Sequence, residues 1–412
     1  MSSFASDLGS LTAAVNADPL DAFALRCLAF ALEKIGETRA VEVALSSAVR
    51  AAREQGQLAL AIAVAKELAA HRPQIAAAEI DELQVAYGRG SARVDVNYRA
   101  QPPRFPVLSE RPRKPLRDLA LDALLAAEAI LAALPAGPLP RIPLFHGLGP
   151  AAFAELVELI AVQEYPAGTV VIEVGAPGNA CYVIARGTVA ISRPRQQTEV
   201  VSHLRSGAFF GEMALLTDSP RMARATCETP TLLLELPRSR LGRLAEKVPE
   251  LATELASYTR DRLLDNLMHT STLFASLEKA ARLQLVQRFQ PQRFEEGSAL
   301  ITEGEPGGHL YILLSGKVAV EKSAGETPLT VTHLRTGDVV GEISLLTRRP
   351  ATATVRARTR THALALSRDD FNAIVGLYPG VLTHLYQLAV EREKDLERLL
   401  AEKVIEADEV LI

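Results

Sequence analysis

Tryptophan is absent from the 412 residues, and aromatic side chains make up only 5% of them. Apolar residues still reach 48%, so any core must be filled mainly by Ala, Leu and Val. Cysteine is scarce too: Cys27, Cys181 and Cys227 are odd in number, widely spaced and without a CxxC pair. That argues against a disulfide framework or a zinc site and fits a reducing compartment. There is no basic excess; the net charge of −4 gives no support for whole-chain nucleic-acid binding. Long apolar runs are missing as well. The longest, Leu119 to Leu134, is interrupted by Asp122 and Glu128 and falls short of the ~20 residues that span a bilayer. Met1 to Ser10 lacks the basic and apolar regions of a secretion signal. The expectation is a soluble, cytoplasmic chain of two to four domains with no membrane span.

What is present begins with helices. In residues 18–71, Leu20, Ala24, Cys27, Leu28, Ala31 and Ile35 recur at helical spacing. Asp18 followed by Pro19 reads as an N-cap and first helical position. Gly36 and Gly56 divide the segment into three helices, and Arg72-Pro73 ends the third. Such short helix pairs resemble a tetratricopeptide-like unit over barely one and a half repeats; a small docking bundle is the alternative reading. Residues 97–115 hold five prolines and five basic residues against one acidic, an extended spacer in character. A helix is expected from Pro115 to Leu134.

The strongest signal is an internal repeat. Leu144-Phe145 matches Leu273-Phe274, Gly168 matches Gly297, Gly175 matches Gly304, Tyr182 matches Tyr311 and Gly187 matches Gly316, all at an offset of 129. After one inserted residue the offset becomes 130, aligning His203-Leu204 with His333-Leu334, Gly211-Glu212 with Gly341-Glu342 and Pro220 with Pro350. A repeat this long is a duplicated domain. Within each copy, short alternating runs such as Val170 to Val174 and Cys181 to Ala185 lie between glycine turns, as in a small β-barrel or jelly roll. Helical sequence closes each copy.

The first copy carries Phe210-Gly211-Glu212-Met213-Ala214-Leu215-Leu216 and then Thr217-Asp218-Ser219-Pro220-Arg221-Met222-Ala223. With the Tyr165-to-Gly168 and Val174-to-Gly178 turns, this resembles the cyclic-nucleotide-binding family, which includes kinase A regulatory subunits and the catabolite activator protein. The resemblance covers about 60% of the chain, residues 144–390. It implies that Gly211 lets backbone approach a cyclic phosphate, that the amides of Met213 and Ala214 face it, and that Arg221 adds a fork-shaped ionic contact. Glu212 would accept the ribose 2′-hydroxyl. The alternative for Glu212 and Arg221 is a surface ion pair. Met222 and Ala223 follow the arginine; the family often has Ser, Thr or Ala where Met222 stands, so the base end of the pocket is in doubt. Arg224 reads either as a second phosphate donor or as an outward strand residue.

In the second copy Gly341, Glu342 and Ser344 survive, but Ala351 takes the arginine position and Thr352 follows it. This site reads as degenerate, with Arg348 or Arg349 the remaining cations nearby. The implied ligand is a cyclic mononucleotide, cAMP before cGMP, with no cofactor and no metal. The implied partner is a protein, such as a kinase or other effector; the alternative is a ligand-independent scaffold. The helix around Pro249 to His269 would shift on binding. His203 and His333 stand singly in strand-like runs, and no catalytic constellation appears, so no enzyme is expected. After Phe371 there is no room for a helix-turn-helix; Leu385, Leu388, Leu396, Leu399, Leu400 and Val404 suit a helix that caps the second copy or pairs with another helix. The expected fold is α+β multidomain: an N-terminal α-helical segment, then two β-roll or jelly-roll domains with flanking helices. Its boundaries fall at 1–96 (helical), 97–140 (Pro/Arg-rich linker with one helix), 141–268 and 269–412.

Overall fold

A computed structural model describes residues 7–95, 97–98, 114–142, 144–192, 200–212, 221, 223–255, 285, 288–323, 328–378 and 381–394. The linker residues 99–113, the span 256–284 and the tail beyond 394 lie outside that set, and with them most of the proposed switch helix and Leu396, Leu399, Leu400 and Val404. The chain forms two compact units, divided near residue 258.

The first unit opens with five helices: α1 (Leu8–Ala17), α2 (Ala22–Lys34), α3 (Thr38–Glu54), α4 (Leu58–His71) and α5 (Pro73–Tyr87). The chain turns at Gly36 and Gly56, as expected. The N-cap of α2 is Asp21, not Asp18: its carboxylate accepts from the amides of Phe23 and Ala24 at 3.0 Å each. Asp18 instead follows the C-terminus of α1 and holds the Leu20 amide in the intervening turn. Asp18 thus closes α1, and the start of α2 lies one turn later than the Asp18-Pro19 pair suggests. Consecutive helices pack against one another, and α6 (Leu116–Ala133) returns onto α1 and α3. Two parallel two-residue strands, β1 (Val94–Asp95) and β2 (Leu139–Pro140), tie off the segment.

After α7 (Pro150–Leu159) come β3 (Ala161–Tyr165), β4 (Val170–Ile172), β5 (Ala180–Arg186), β6 (Thr188–Ser192), β7 (Val200–Arg205), β8 (Phe209–Phe210), β9 (Arg224–Cys227), β10 (Thr231–Pro237) and α8 (Arg238–Lys247). They form two antiparallel sheets, β3-β10-β5-β8 and β4-β9-β6-β7. This is a jelly-roll sandwich of two sheets rather than a closed barrel.

The second unit repeats the plan with β11 (Gln290–Phe294), β12 (Ala299–Ile301), β13 (His309–Ser315), β14 (Lys317–Lys322), β15 (Leu329–Arg335), β16 (Val339–Val340), α9 (Glu342–Thr347), β17 (Thr354–Ala357), β18 (Thr361–Ser367) and α10 (Arg368–Leu377). Its sheets are β11-β18-β13-β16 and β12-β17-β14-β15. Strands up to β6 and β14 match at an offset of 129, and from Ser202 of β7 and Thr332 of β15 onward the offset is 130. The extra residue therefore falls in the connection between β14 and β15. No single helix among the described residues is long and apolar enough to cross a membrane.

Strand β5 is buried on both faces. Ala180, Tyr182 and Ile184 point into the sandwich with Phe210 and Leu233. Cys181, Val183 and Ala185 point outward into a second core built from α1 to α8. Ala180 to Ala185 is apolar throughout rather than alternating, as a strand covered on both faces requires, and the helices supply the outer cover. At the end of β5, Gly187 adopts φ 104°, and a Cβ there would lie 2.6 Å from Thr231 Oγ1 and 2.8 Å from the Pro230 carbonyl. Gly316 repeats that geometry against Thr361 and Arg360. The matched glycines thus mark a turn that no side chain fits.

His362 on β18 is half-buried, and its Nε2 is enclosed without a hydrogen-bond partner. Burial, then the charges of Arg293 and Arg360, hold its imidazole below the ordinary 6.5, with Glu295 pulling weakly the other way. Because the folded form resists the proton, the unfolded chain protonates first as pH falls through 6.5, and stability present above that pH is lost below it. Urea unfolding of the wild type should therefore weaken between pH 7 and pH 5 more steeply than that of His362→Leu; parallel pH profiles would count against the assignment.

Candidate functional site

In the first sandwich Gly211 follows β8 at φ 80°, and a Cβ on it would lie 3.0 Å from Arg221 Nη1 and 3.2 Å from Ile172 Cδ1. The close approach of backbone and guanidinium is what the glycine permits. Glu212 is 5% exposed and Arg221 8% exposed, so neither is a surface residue. Arg221 donates from Nη1 to the Gly211 carbonyl at 2.7 Å and from Nη2 to the Ala180 carbonyl. Its own backbone is pinned as well: its amide donates to Ala176, and its carbonyl accepts from Gly175. That places the guanidinium between the start of β5 and the turn after β8.

A buried arginine is costly unless its charge is answered. Burial pushes the Arg221 guanidinium down from its ordinary value, while Tyr182, Cys181 and Glu212 pull it back up. It remains a cation, because an arginine pKa sits far above neutrality. Tyr182 stacks on Phe210 with ring centroids 5.3 Å apart, forming the apolar floor beside it. The result is a fixed cation adjoining a buried carboxylate at one end of an apolar sheet. This arrangement suits a small ligand carrying one anionic group and one hydroxyl donor.

Met213, Ala214 and Met222 lie outside the described residues. Ala223 is half-buried just past Arg221. Arg224 points outward and pairs with the exposed Glu173 at 2.9 Å, which settles it as a strand-surface residue. His203 likewise faces outward, with Nδ1 2.8 Å from Glu228 Oε2. Among the described residues no His, Cys, Asp and Glu group is arranged to hold a metal ion.

In the second sandwich Glu342, Ser344 and Ala351 are buried and Gly341 is half-buried. Thr352 is half-buried, and its carbonyl accepts from Lys322 Nζ at 2.7 Å. Arg348 and Arg349 are exposed. The cation that meets Glu342 is instead Arg392, from the helix Val381–Lys394: Nη1 donates to Glu342 Oε1 at 2.6 Å and to the Val339 carbonyl at 2.7 Å. Val381, Leu385 and Ala389 of that helix are buried, the first two within the core beside β13 and α10. The described part of the C-terminal helix therefore caps its own domain. Arg368 adds a further contact, donating from Nη2 to the carbonyls of Gly307 and Ser344. Gly307 is pressed so closely on this short helix that a Cβ would sit 2.3 Å from Ser344 Cβ.

Sequence reasoning missed Arg392 and Arg368. Arg368 left a usable signal, since Arg238 stands at the matching position at an offset of 130. Arg392 left none, being 50 residues from its partner.

The model of the cyclic nucleotide-binding domain matches residues 162–248 and 291–377. The cAMP-dependent protein kinase regulatory subunit of Dictyostelium discoideum is 29% identical over 230 residues, 54% of this chain and 67% of that protein. Among solved structures, the regulatory domain of Toxoplasma gondii kinase A with cAMP is 24% identical over 60% of this chain and 92% of that chain, with a TM-score of 0.30. The regulatory subunit of a cAMP-independent kinase A from Trypanosoma brucei is 24% identical over 58% and 85%, with a TM-score of 0.29.

Removing the Arg392 side chain should leave the Glu342 carboxylate buried without its cation and destabilise the second domain by roughly 1–3 kcal/mol. Urea unfolding of Arg392→Ala measures this, and adding Glu342→Gln should restore most of the loss. An unchanged midpoint in Arg392→Ala would show the pair to be inert.

Proposed function

With two cyclic nucleotide-binding domains, at residues 162–248 and 291–377, as its premise, we propose that this chain is a non-catalytic regulatory protein that senses a cyclic mononucleotide in the first domain alone. The observation that carries the reading is the buried, carbonyl-anchored guanidinium of Arg221 next to the buried carboxylate of Glu212. Arg221 supplies the ionic contact to the exocyclic phosphate oxygens, and Gly211 lets the backbone close upon them. Met213, Ala214, Met222 and Ala223 complete the phosphate and base surroundings. Glu212 accepts the ribose 2′-hydroxyl and so selects ribonucleotides. The ligand is cAMP in preference to cGMP, in keeping with the Dictyostelium relative.

The second domain acts as a docking or relay module. Ala351 cannot make the ionic phosphate contact, and Arg392 already engages the carboxylate that would take the ribose. Loss of one charge-assisted contact costs roughly 1.5–3 kcal/mol, about tenfold to a hundredfold in affinity. The downstream partner is a protein effector, a kinase catalytic subunit being the kind that homology supports. The Ala351 position also motivates a second reading, in which both domains serve as nucleotide-independent interaction modules.

Calorimetric titration separates the two. The wild type should bind one cAMP per chain, more tightly than cGMP, and Arg221→Ala should weaken binding tenfold to a hundredfold. Glu212→Gln should narrow the preference for cAMP over its 2′-deoxy analogue. Absent or equal heats for cAMP and cGMP in wild type and Arg221→Ala alike would sink the sensor reading in favour of the scaffold.

A further inference from the structure

Helix α2 lies across one transverse row of the first domain's outer sheet. Glu164 of β3 sits opposite Leu232 of β10, and Leu232 sits opposite Arg186 of β5. A bulge between Leu232 and Leu233 turns Arg186 to the face that carries Glu164. On this row α2 places Phe23 and Arg26, one helical turn apart. Arg26 Nη2 donates to Glu164 Oε1 at 2.6 Å, while Nε and Nη2 clasp Glu67 of α4 at 2.8 and 2.6 Å. The Arg186 guanidinium carbon stands 4.0 Å from the centre of the Phe23 ring. Arg26 is 2% exposed, a buried cation held by two carboxylates and flanked by the rings of Phe23 and Phe30.

Apolar burial supplies most of the attraction. One continuous core runs from α1 through α8 and takes in the outer face of β5. Ionic contacts of this kind instead select the partner, because a mismatched buried charge is costly. The two copies differ at this row. At the matching register the second domain presents Arg293, His362 and Ser315. Where the first copy offers an anion, a hydrocarbon and a cation, the second offers a cation, an imidazole and a hydroxyl. Arg26 would meet Arg293 with like charge, and Phe23 would lose its guanidinium.

Strand β5 also has a second end. Its first residue, Ala180, lends its carbonyl to Arg221, and its last, Arg186, lies under Phe23. The strand is seven residues long, which puts the two contacts about 20 Å apart. Arg221 Nη2 carries two N–H groups, so a phosphate takes the one that the Ala180 carbonyl leaves, and the shared guanidinium ties the ligand to the first residue of β5.

We propose that the row Glu164–Leu232–Arg186 is a docking surface read by α2, and that it makes the N-terminal helices the output arm of the first nucleotide site and not of the second. The output step rests on the nucleotide reading above; the docking step does not. Any effect of ligand on the helices must be returned as an equal effect of the helices on ligand affinity.

The test is hydrogen exchange over residues 22–34 in the full chain, without and with saturating cAMP, for wild type, Glu164→Gln, Arg186→Ala and Arg293→Gln. Without cAMP, Glu164→Gln and Arg186→Ala should each speed exchange in α2 by about threefold or more, and Arg293→Gln should leave it unchanged. With cAMP, the wild-type helix should change its protection, and the change should shrink in the first two variants. Identical exchange in all four proteins, or equal loosening by Arg293→Gln, would refute the docking surface. A wild type that binds cAMP calorimetrically with no response in α2 would refute the output arm. Absence of any binding heat would instead overturn the nucleotide reading, and the ligand-free comparison still decides the docking.

Discussion

A sheet with two apolar faces has to be covered twice, and that requirement organises each domain. The inner faces of the paired sheets cover one another, as in any sandwich. The outer faces of β3-β10-β5-β8 and β11-β18-β13-β16 each need helices. In the first domain the cover comes from α2, α4, α7 and α8, in one core with the N-terminal bundle. In the second it comes from α10 and the helix Val381–Lys394. The same fold therefore carries two different helical roofs.

The roofs also account for the inequality of the two sites. In the first, the buried cation is Arg221, held by the carbonyls of Gly211 and Ala180. In the second, position 351 is an alanine and the cation arrives from the capping helix. The first arrangement keeps the cation on the rigid scaffold. The second ties the carboxylate to a helix, so that the domain closes upon itself through its own chain.

Much of this was legible in the residues. The duplication showed in glycines and tyrosines at constant offset, because turns such as Gly187 and Gly316 tolerate no side chain. Gly36 and Gly56 placed the breaks of α2 to α4, and the helix expected from Pro115 to Leu134 is there as α6. What escaped was tertiary. Asp21 and Asp18 both precede a helical pattern, and only the packing of α1 decides between them. The clasp of Arg26 joins residues 41 and 138 positions apart, and the Arg392 contact spans 50. No local periodicity reports such partners. The two-sided burial of β5 does show locally, since Ala180 to Ala185 is a continuous apolar run of the kind a strand covered on both faces carries.

The charge inversion between Glu164 and Arg293 bears on how the chain is made. A ribosome releases the helices first, then one sandwich, then a near copy of it. Duplicated domains in one chain invite misassembly, because a surface meant for the first copy can close on the second. The apolar bundle waiting at the N-terminus meets an anion on the sandwich that emerges next and a cation on the one that emerges last. Order of synthesis and sign of charge thus favour the same pairing.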